Sequence, residues 1–311
     1  MTGNITINKE QYLLLKNISD GVLSPVDKLL NEEELEEVLT HYTYKGRPYA
    51  LPYFLFLGDV TDEYTRITLV YEGNKVAVVD IDSVYSIDPE DVCLRMFQTT
   101  SREHPGVAMI FSEAHKKCVS GSIKVWDVPE LGIPHSEVPK ITGTVFQSRN
   151  PPHKAHEAIV NKYAPEVLYT TPYSTVNKND YPFSMKIKAY EVIKEKYDVD
   201  IYVSTLPRVF AGPREALQNC LVFQNMGASK IVMGRGKNCV KDFYKDDASY
   251  SLCKRMYDNG LITIEPVWEN TIYTEGIEIK ASHIKRDYVN KGLVPPENMM
   301  SSYISELLCL S

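Results

Sequence analysis

From about residue 140 onward, short runs of apolar residues alternate with longer stretches in which apolar residues recur every three or four positions. The short runs predict β-strands and the longer stretches predict amphipathic helices. The predicted strands are residues 141–146, 166–171, 199–204 and 230–233. One predicted helix follows Pro151 and Pro152, and three more cover residues 183–196, 213–226 and 299–310. Such alternation predicts right-handed βαβ units in an α/β fold. Its parallel sheet should bind ligands beyond the C-terminal ends of the strands.

The N-terminal half has a different pattern. Residues 31–40 predict an amphipathic helix whose glutamates face solvent. Short β-branched segments predict strands at residues 66–71, 75–81, 107–110 and 122–128. These elements indicate a compact mixed domain with a small sheet or barrel. Residues 130–139 contain two prolines and a glycine, which is typical of a linker. We therefore expect two domains, residues 1–138 and 139–311.

Composition sets limits on location and partners. No apolar run approaches the ~20 residues that span a bilayer, and the N-terminus lacks a signal peptide's basic region, so we expect a cytoplasmic protein with no membrane partner. The six cysteines lie far apart, which favours reduced thiols over a disulfide framework or a zinc site. Residues 1–140 hold 13 Lys and Arg against 22 Asp and Glu. This acidity argues against a nucleic-acid partner.

A polar segment follows the first predicted strand of the second domain. Its sequence is Gln147-Ser148-Arg149-Asn150-Pro151-Pro152-His153-Lys154-Ala155-His156. His153 and His156 share one face near the predicted helix start, where free backbone N–H groups and the helix dipole attract anions. With Gln147, Arg149 and Asn150 beside them, the imidazoles are placed to hold phosphate oxygens. The alternative is a turn whose two histidines only cap a helix.

The spacing Gln-x-Arg-Asn-Pro-x-His-x-x-His resembles the signature of ATP sulfurylase (sulfate adenylyltransferase), in which His-x-x-His corresponds to the His-x-Gly-His motif of nucleotidyltransferases. Residues 20–25 and 99–107 resemble segments of that family's N-terminal domain. The resemblance implies a Rossmann-like nucleotidyltransferase domain beside an N-terminal PUA-like domain. PUA-like folds are better known from RNA-binding modules, so RNA binding by residues 1–138 stays open as an alternative.

A second motif, Gly234-Arg235-Gly236-Lys237-Asn238-Cys239, follows the predicted strand at residues 230–233. Its glycines allow backbone to approach a phosphate, and its basic residues supply charge, although a solvated loop has the same composition. The segment resembles the family's Gly-Arg-Asp-His-Ala-Gly loop, which holds ATP phosphates, but its last four residues differ. The bulkier Asn238 and Cys239 indicate a changed pocket or acceptor. An isolated loop thiol such as Cys239 is usually inert.

The resemblance implies transfer of the adenylyl group of ATP to sulfate. It assigns Gln147 and Arg149, with the backbone of Asn238, to the acceptor oxyanion, and Ser148 contributes its backbone. The residues assigned to the nucleotide phosphates and the transition state are Gln147, Asn150, His153, His156, Gly234, Arg235, Gly236 and Lys237. Mg²⁺ is expected to arrive with ATP, and the protein is assigned no metal ligand of its own.

Two other functions compete with this one. The altered second motif favours a nucleotidyltransferase of the same fold that uses another oxyanion, such as a phosphonate or a phosphorylated metabolite. A catalytically silent homologue that binds nucleotide as a sensor or scaffold is the other alternative. The expected partners are small-molecule substrates, and a homo-oligomer is compatible with the sequence.

Overall fold

The computed structural model describes residues 1–58, 60–131, 140–164, 166–173, 181–236, 239–240, 243–269, 273–274 and 276–309. These residues form two compact units. The first comprises the described residues within Met1–Val138, Thr205–Asn225 and Gly236–Thr263. The second comprises those within Pro139–Ser204, Met226–Arg235 and Ile264–Ser311. Each unit therefore combines separate segments of the chain. From residue 132 onward, the predicted linker lies outside the described residues.

The N-terminal segment supplies most of the first unit. Its strands are β1 (Thr2–Thr6), β2 (Lys28–Leu29), β3 (Thr43–Tyr44), β4 (Arg47–Pro48), β5 (Phe56–Leu57), β6 (Arg66–Tyr71), β7 (Asn74–Tyr85) and β8 (Lys117–Val125). Its helices are α1 (Lys9–Ser19), α2 (Glu32–His41), α3 (Pro89–Phe97) and α4 (Pro105–Glu113), and a 3₁₀ turn covers Pro129–Leu131. One sheet has the order β1-β6-β7-β8-β2, with β5 paired to β8. The predicted mixed domain with a small sheet is confirmed.

Two strand predictions in this segment need correction. Residues 107–110 form part of helix α4 and no strand. His104 is the N-cap, its Nδ1 accepting from the N–H of Val107 at 3.4 Å, and Pro105 occupies the first turn, where proline favours a helix start. The strand predicted at residues 122–128 is β8, which begins earlier because Cys118 and its neighbours pair with the far end of β7.

The C-terminal segment contains the remaining elements. Its strands are β9 (Thr144–Gln147), β10 (Val167–Pro172), β11 (Asp200–Ser204), β12 (Lys230–Met233), β13 (Glu265–Trp268), β14 (Tyr273–Thr274) and β15 (Ile277–Glu278). Its helices are α5 (Lys154–Tyr163), α6 (Phe183–Tyr197), α7 (Pro213–Asn225), α8 (Ala248–Asp258), α9 (Ala281–Asp287) and α10 (Ser302–Cys309), and a 3₁₀ turn covers Val289–Lys291. Helices α7 and α8 belong to the first unit.

A parallel five-stranded sheet forms the centre of the second unit. The strand order is β11-β10-β9-β12-β13, and every neighbouring pair is parallel. The chain builds outward from β9 through β10 to β11, and then returns to place β12 on the other side of β9. The direction of strand order therefore reverses between β9 and β12. In open α/β sheets this switch point is where ligands bind.

Aromatic rings attach α6 to this sheet. The ring of Tyr169 in β10 stacks between Phe146 of β9, at a centroid distance of 5.1 Å, and Tyr190 of α6, at 4.4 Å. Ile304 and Leu308 of α10 belong to the same buried cluster. Offset stacking of this kind adds to the area that the rings bury. The helix that carries Tyr190 is therefore fixed over the centre of the sheet.

Arg214 has a structural role in the first unit. Its side chain is 3% exposed, and its guanidinium donates to four backbone carbonyls, those of Val38, Leu39, Ala50 and Arg95. Three of these carbonyls lie near the C-terminal ends of α2 and α3, where helices leave carbonyls without an intrahelical partner. Arg214 of α7 thus links this helix to α2, α3 and Ala50 within the first unit.

A buried carboxylate network holds helix α5 in the second unit. Glu157 is 3% exposed and accepts from Lys196 Nζ at 2.6 Å, Tyr197 OH at 2.9 Å and Ser301 Oγ at 2.5 Å. Burial alone would raise the pKa of Glu157, but these three donors outweigh it and the pKa lies below its usual value. The network ties α5 to the end of α6 and to the residue that precedes α10.

Replacing Glu157 with alanine is expected to lower the free energy of unfolding by about 2–4 kcal/mol, because the buried Ser301 hydroxyl and the other donors lose their acceptor. Glu265→Ala is the matched control. Glu265 pairs with Lys230 at 3.7 Å and its side chain is 44% exposed, so its loss should change stability by less than about 0.5 kcal/mol. Urea denaturation measures both variants, and equal losses would contradict the role of Glu157.

Candidate functional site at the sheet switch point

The carboxyl ends of β9 and β12 lie side by side at the switch point. Val145 pairs with Ile231 and Phe146 with Val232. Gln147 is the last residue of β9, and Met233 is the last residue of β12. The polar segment after β9 and the first residues of the glycine motif after β12 therefore leave the same edge of the sheet, where parallel folds bind their ligands.

Ser148 connects three elements of the second unit. Its N–H donates to the carbonyl of Thr170 in β10 at 3.0 Å, and its carbonyl accepts from Tyr190 OH of α6 at 2.7 Å. Its Oγ lies 3.3 Å from His156 Nε2 of α5 and accepts from the N–H of Asn150 at 3.2 Å. The turn that carries the predicted site residues is consequently fixed by a strand and two helices.

The two histidines stack against each other. Helix α5 starts at Lys154, so His153 is the N-cap residue and His156 lies in the first turn. In the described part of the chain, His153 makes no side-chain bond that caps the helix. The two rings lie 3.7 Å apart between centroids, with 19° between their planes, and His156 meets the ring of Phe146 edge-on at 5.5 Å. The interpretation of these histidines as simple helix caps therefore lacks support.

Burial keeps both imidazoles neutral at physiological pH. His153 is 4% exposed, and burial lowers its pKa to about 4. Burial also lowers the pKa of the half-buried His156 well below its usual value, and the neighbouring His153 lowers it further. Each neutral ring offers one N–H donor and one acceptor.

The Nδ1 atoms of His153 and His156 are unsatisfied. Both atoms are buried, and neither has a hydrogen-bond partner among the residues that the structure describes. A buried polar group in this condition costs about 1–3 kcal/mol. A ligand oxygen that bonded to either Nδ1 after the ring turned towards it would remove this penalty, so the pair can gain from a polar ligand.

Arg149 is more exposed than the two histidines. Its side chain is exposed, and it forms no hydrogen bond or ion pair with any residue in the described ranges. Gln147 and Asn150 beside it are half-buried. A guanidinium without a carboxylate partner is well suited to a tetrahedral oxyanion, because its donors match two anion oxygens at once.

Arg235 already has an anionic partner. Its Nη2 donates to Glu278 Oε1 at 2.8 Å, and Lys280 Nζ binds Oε2 of the same carboxylate at 2.8 Å. The Lys280 and Arg235 bonds together hold the pKa of Glu278 below its usual range. A phosphate that used Arg235 would therefore compete with Glu278.

Gly236 and Cys239 of the glycine motif belong to the first unit. Gly236 has a φ of +64°, in the left-handed region that favours glycine, and its N–H donates to the carbonyl of Asp246 at 2.7 Å. Cys239 Sγ lies 3.3 Å from Ser249 Oγ, and burial raises the pKa of the thiol, as expected for an unreactive cysteine. Lys237 and Asn238 lie outside the described residues, so their assigned roles stay predictions.

Sequence reasoning missed three partners of these groups. Thr170 and Tyr190 hold Ser148 in place, and Glu278 holds Arg235. Tyr190 lies on the apolar face of a predicted helix, so its position in the sequence does not reveal the hydrogen bond of its hydroxyl. No signal in the sequence pairs Glu278 with an arginine that lies 43 residues earlier.

Comparison with known proteins places the site in a family context. A profile of the ATP-sulfurylase family matches residues 140–309, and a profile of the PUA-like domain matches residues 2–128. The sulfate adenylyltransferase of Thermococcus onnurineus is 29% identical over 83% of this chain and 73% of that protein. The sulfate adenylyltransferase of Persephonella marina is 28% identical over 94% of this chain and 86% of that protein.

Among solved structures, the hexameric APS kinase from Thiobacillus denitrificans has a similar fold, with a TM-score of 0.72 and 14% sequence identity. The match covers 99% of this chain and 62% of that chain, and at this identity it shows the fold alone. Within the described ranges, every helix is too short or too polar to cross a membrane, and no three His, Cys, Asp or Glu side chains are grouped as metal ligands.

The family profile covers more than half of the chain, and the chain is therefore a nucleotidyltransferase that belongs to the ATP-sulfurylase family.

Proposed function

We propose that this chain transfers the adenylyl group of ATP to sulfate and releases pyrophosphate. The observation that carries the proposal is the arrangement after β9, where the exposed guanidinium of Arg149 is close in sequence to two stacked, neutral imidazoles. Their Nδ1 atoms have no hydrogen-bond partner among the described residues. This arrangement provides hydrogen-bond donors and positive charge, which are the groups that two anionic substrates require. The sulfate adenylyltransferases to which the chain is similar support the same reaction.

In the proposed reaction, a sulfate oxygen attacks the α-phosphorus of ATP. A bond forms between that oxygen and phosphorus, and the bond to the bridging oxygen breaks, so that pyrophosphate leaves with the electron pair. Sulfate is already ionised, and therefore no general base has to remove a proton. The barrier lies in aligning two anions and in stabilising the charge on the five-coordinate phosphorus and the leaving group.

The residues at and after the end of β9 divide this work between them. Arg149 and Gln147 would hold sulfate, because a guanidinium matches the geometry of a tetrahedral anion. Asn150, His153 and His156 would donate to oxygens of the α- and β-phosphates.

Arg235 would join the same phosphates once they displace Glu278. Because the residues assigned to the phosphates are hydrogen-bond donors and cations, Mg²⁺ would be held through the nucleotide phosphates, where it would neutralise the leaving pyrophosphate.

One observation favours an acceptor other than sulfate. The loop that begins at Gly234 departs from the family's Gly-Arg-Asp-His-Ala-Gly at four positions, with Asn238 and Cys239 in place of small residues. A reshaped acceptor pocket would suit a phosphonate or a phosphorylated metabolite.

Pyrophosphate release, measured for sulfate and these oxyanions with each of the four nucleoside triphosphates, separates the candidates. Turnover with sulfate and ATP supports the proposal. Turnover with another oxyanion alone would assign a different acceptor to the same fold. ATP binding without turnover would indicate a silent homologue.

Arg149→Ala is expected to lower kcat/KM for adenylyl transfer by about 100-fold or more, because the acceptor loses its main charged donor. The fold should be unaffected, since the Arg149 side chain is exposed. Lys230→Ala is the matched control, because Lys230 is the first residue of β12, at the end of the strand opposite the site. Rates and circular dichroism of both variants provide the measurement. Wild-type kinetics in Arg149→Ala would contradict the assignment.

The folded chain keeps the His153 imidazole neutral, and this makes its stability depend on pH. The pKa of His153 is about 4 in the folded chain and 6.5 without the fold. Between these values the unfolded chain binds a proton that the folded chain lacks, so the histidine's contribution is complete above pH 6.5 and is lost as pH falls towards 4.

His153→Gln removes the titrating group, and its Tm should therefore fall less than the wild-type Tm between about pH 7 and pH 5. Thermal unfolding of both proteins at several pH values in this interval is the measurement. Parallel curves for the two proteins would show that His153 is not a buried neutral imidazole.

A further inference from the structure

Two stacked tyrosines occupy the buried side of the candidate site, and they differ in what their hydroxyls bind. Tyr190 of α6 is fully buried, and its hydroxyl donates to the carbonyl of Ser148 at 2.7 Å, with the carbonyl of Asn150 at 3.3 Å as a second acceptor. Tyr169 of β10 is also fully buried. Burial raises the pKa of its hydroxyl, with smaller effects of Tyr190 and Ser148 nearby, but the hydroxyl forms no well-directed hydrogen bond with any described residue. The rings lie 4.4 Å apart and 27° from parallel.

The two carbonyls bound by Tyr190 flank Arg149 in the chain. The Ser148 carbonyl belongs to the peptide unit that joins Ser148 to Arg149, and the Asn150 carbonyl to the unit that joins Asn150 to Pro151. Because each peptide unit is rigid and planar, the two bonds fix the backbone before Arg149 and after Asn150. The same turn places Ser148 Oγ within 3.3 Å of His156 Nε2. A single buried hydroxyl is therefore in a position to orient both the exposed guanidinium and the histidine pair.

We propose that Tyr190 is a positioning residue for adenylyl transfer, acting through the carbonyls of Ser148 and Asn150 to aim Arg149 and His156 at the substrates. The inference rests on the proposed function and goes beyond it, because Tyr190 contacts the site turn from a helix that starts 30 residues after His153. Burial raises the pKa of Tyr190 to about 12, so its hydroxyl remains a donor at every pH at which the enzyme would work.

Tyr190→Phe keeps the ring stack and removes the two hydrogen bonds. We expect kcat to fall about 10- to 100-fold, since small misplacements of aligned groups cost this much, while KM for ATP changes less than about threefold. Tyr169→Phe is the matched control, because it removes an equally buried hydroxyl that forms no well-directed hydrogen bond in the described part of the chain, and its kcat should remain at the wild-type value.

Steady-state kinetics and Tm are measured for wild type and both variants. A Tyr190→Phe protein with lowered Tm but wild-type kcat would reduce Tyr190 to a structural residue and overturn the proposal. Equal losses of kcat in the two variants would also overturn it, because the loss would then follow from disturbed ring packing.

A further measurement keeps this inference separate from the proposed reaction. If the wild-type protein shows no turnover with any acceptor, the proposed function fails, and the imidazole ¹⁵N shifts of His156 then test the positioning role alone. We expect Tyr190→Phe to shift these signals and Tyr169→Phe to leave them in place. Unchanged signals in Tyr190→Phe would show that the hydroxyl does not orient the histidine.

Discussion

The hydrogen bonds of Ser148 determine how the candidate site is built. Its N–H is held by β10, its carbonyl by α6 and its hydroxyl by the first turn of α5. A turn that leaves a strand end is normally free to adopt several conformations, and ordering it costs about 1–2 kcal/mol per residue. Here that entropic cost is offset by hydrogen bonds to β10, α5 and α6. The aromatic stack and the Glu157 network hold these elements in place. The site residues therefore start from a restricted geometry.

The electrostatics of the site follow from this packing. Burial keeps His153 and His156 uncharged, so the positive charge after β9 is concentrated on the exposed Arg149. Arg235, in contrast, forms an ion pair with Glu278. A charged acceptor would meet the exposed Arg149 directly. The phosphates would have to displace Glu278 before they could reach Arg235.

Much of this architecture could be predicted from local sequence. The strands β6 and β12 have the predicted bounds, and the histidine motif was recognisable because its residues are neighbours in the chain. The strand expected at residues 107–110 failed because a proline-initiated helix start outweighs a short apolar run. The bonds of Tyr190 and Glu278 could not be predicted, since they join residues about 40 positions apart and depend on how the sheet brings α6 and β15 to the site.

A crystal structure with a non-hydrolysable ATP analogue and sulfate tests the central claim most directly. The account predicts an α-phosphate oxygen within hydrogen-bond distance of His153 or His156, with sulfate beside Arg149. Arg235 should have exchanged Glu278 for a phosphate. A triphosphate bound away from the carboxyl ends of β9 and β12, with the stacked imidazoles still unpaired, would contradict the account.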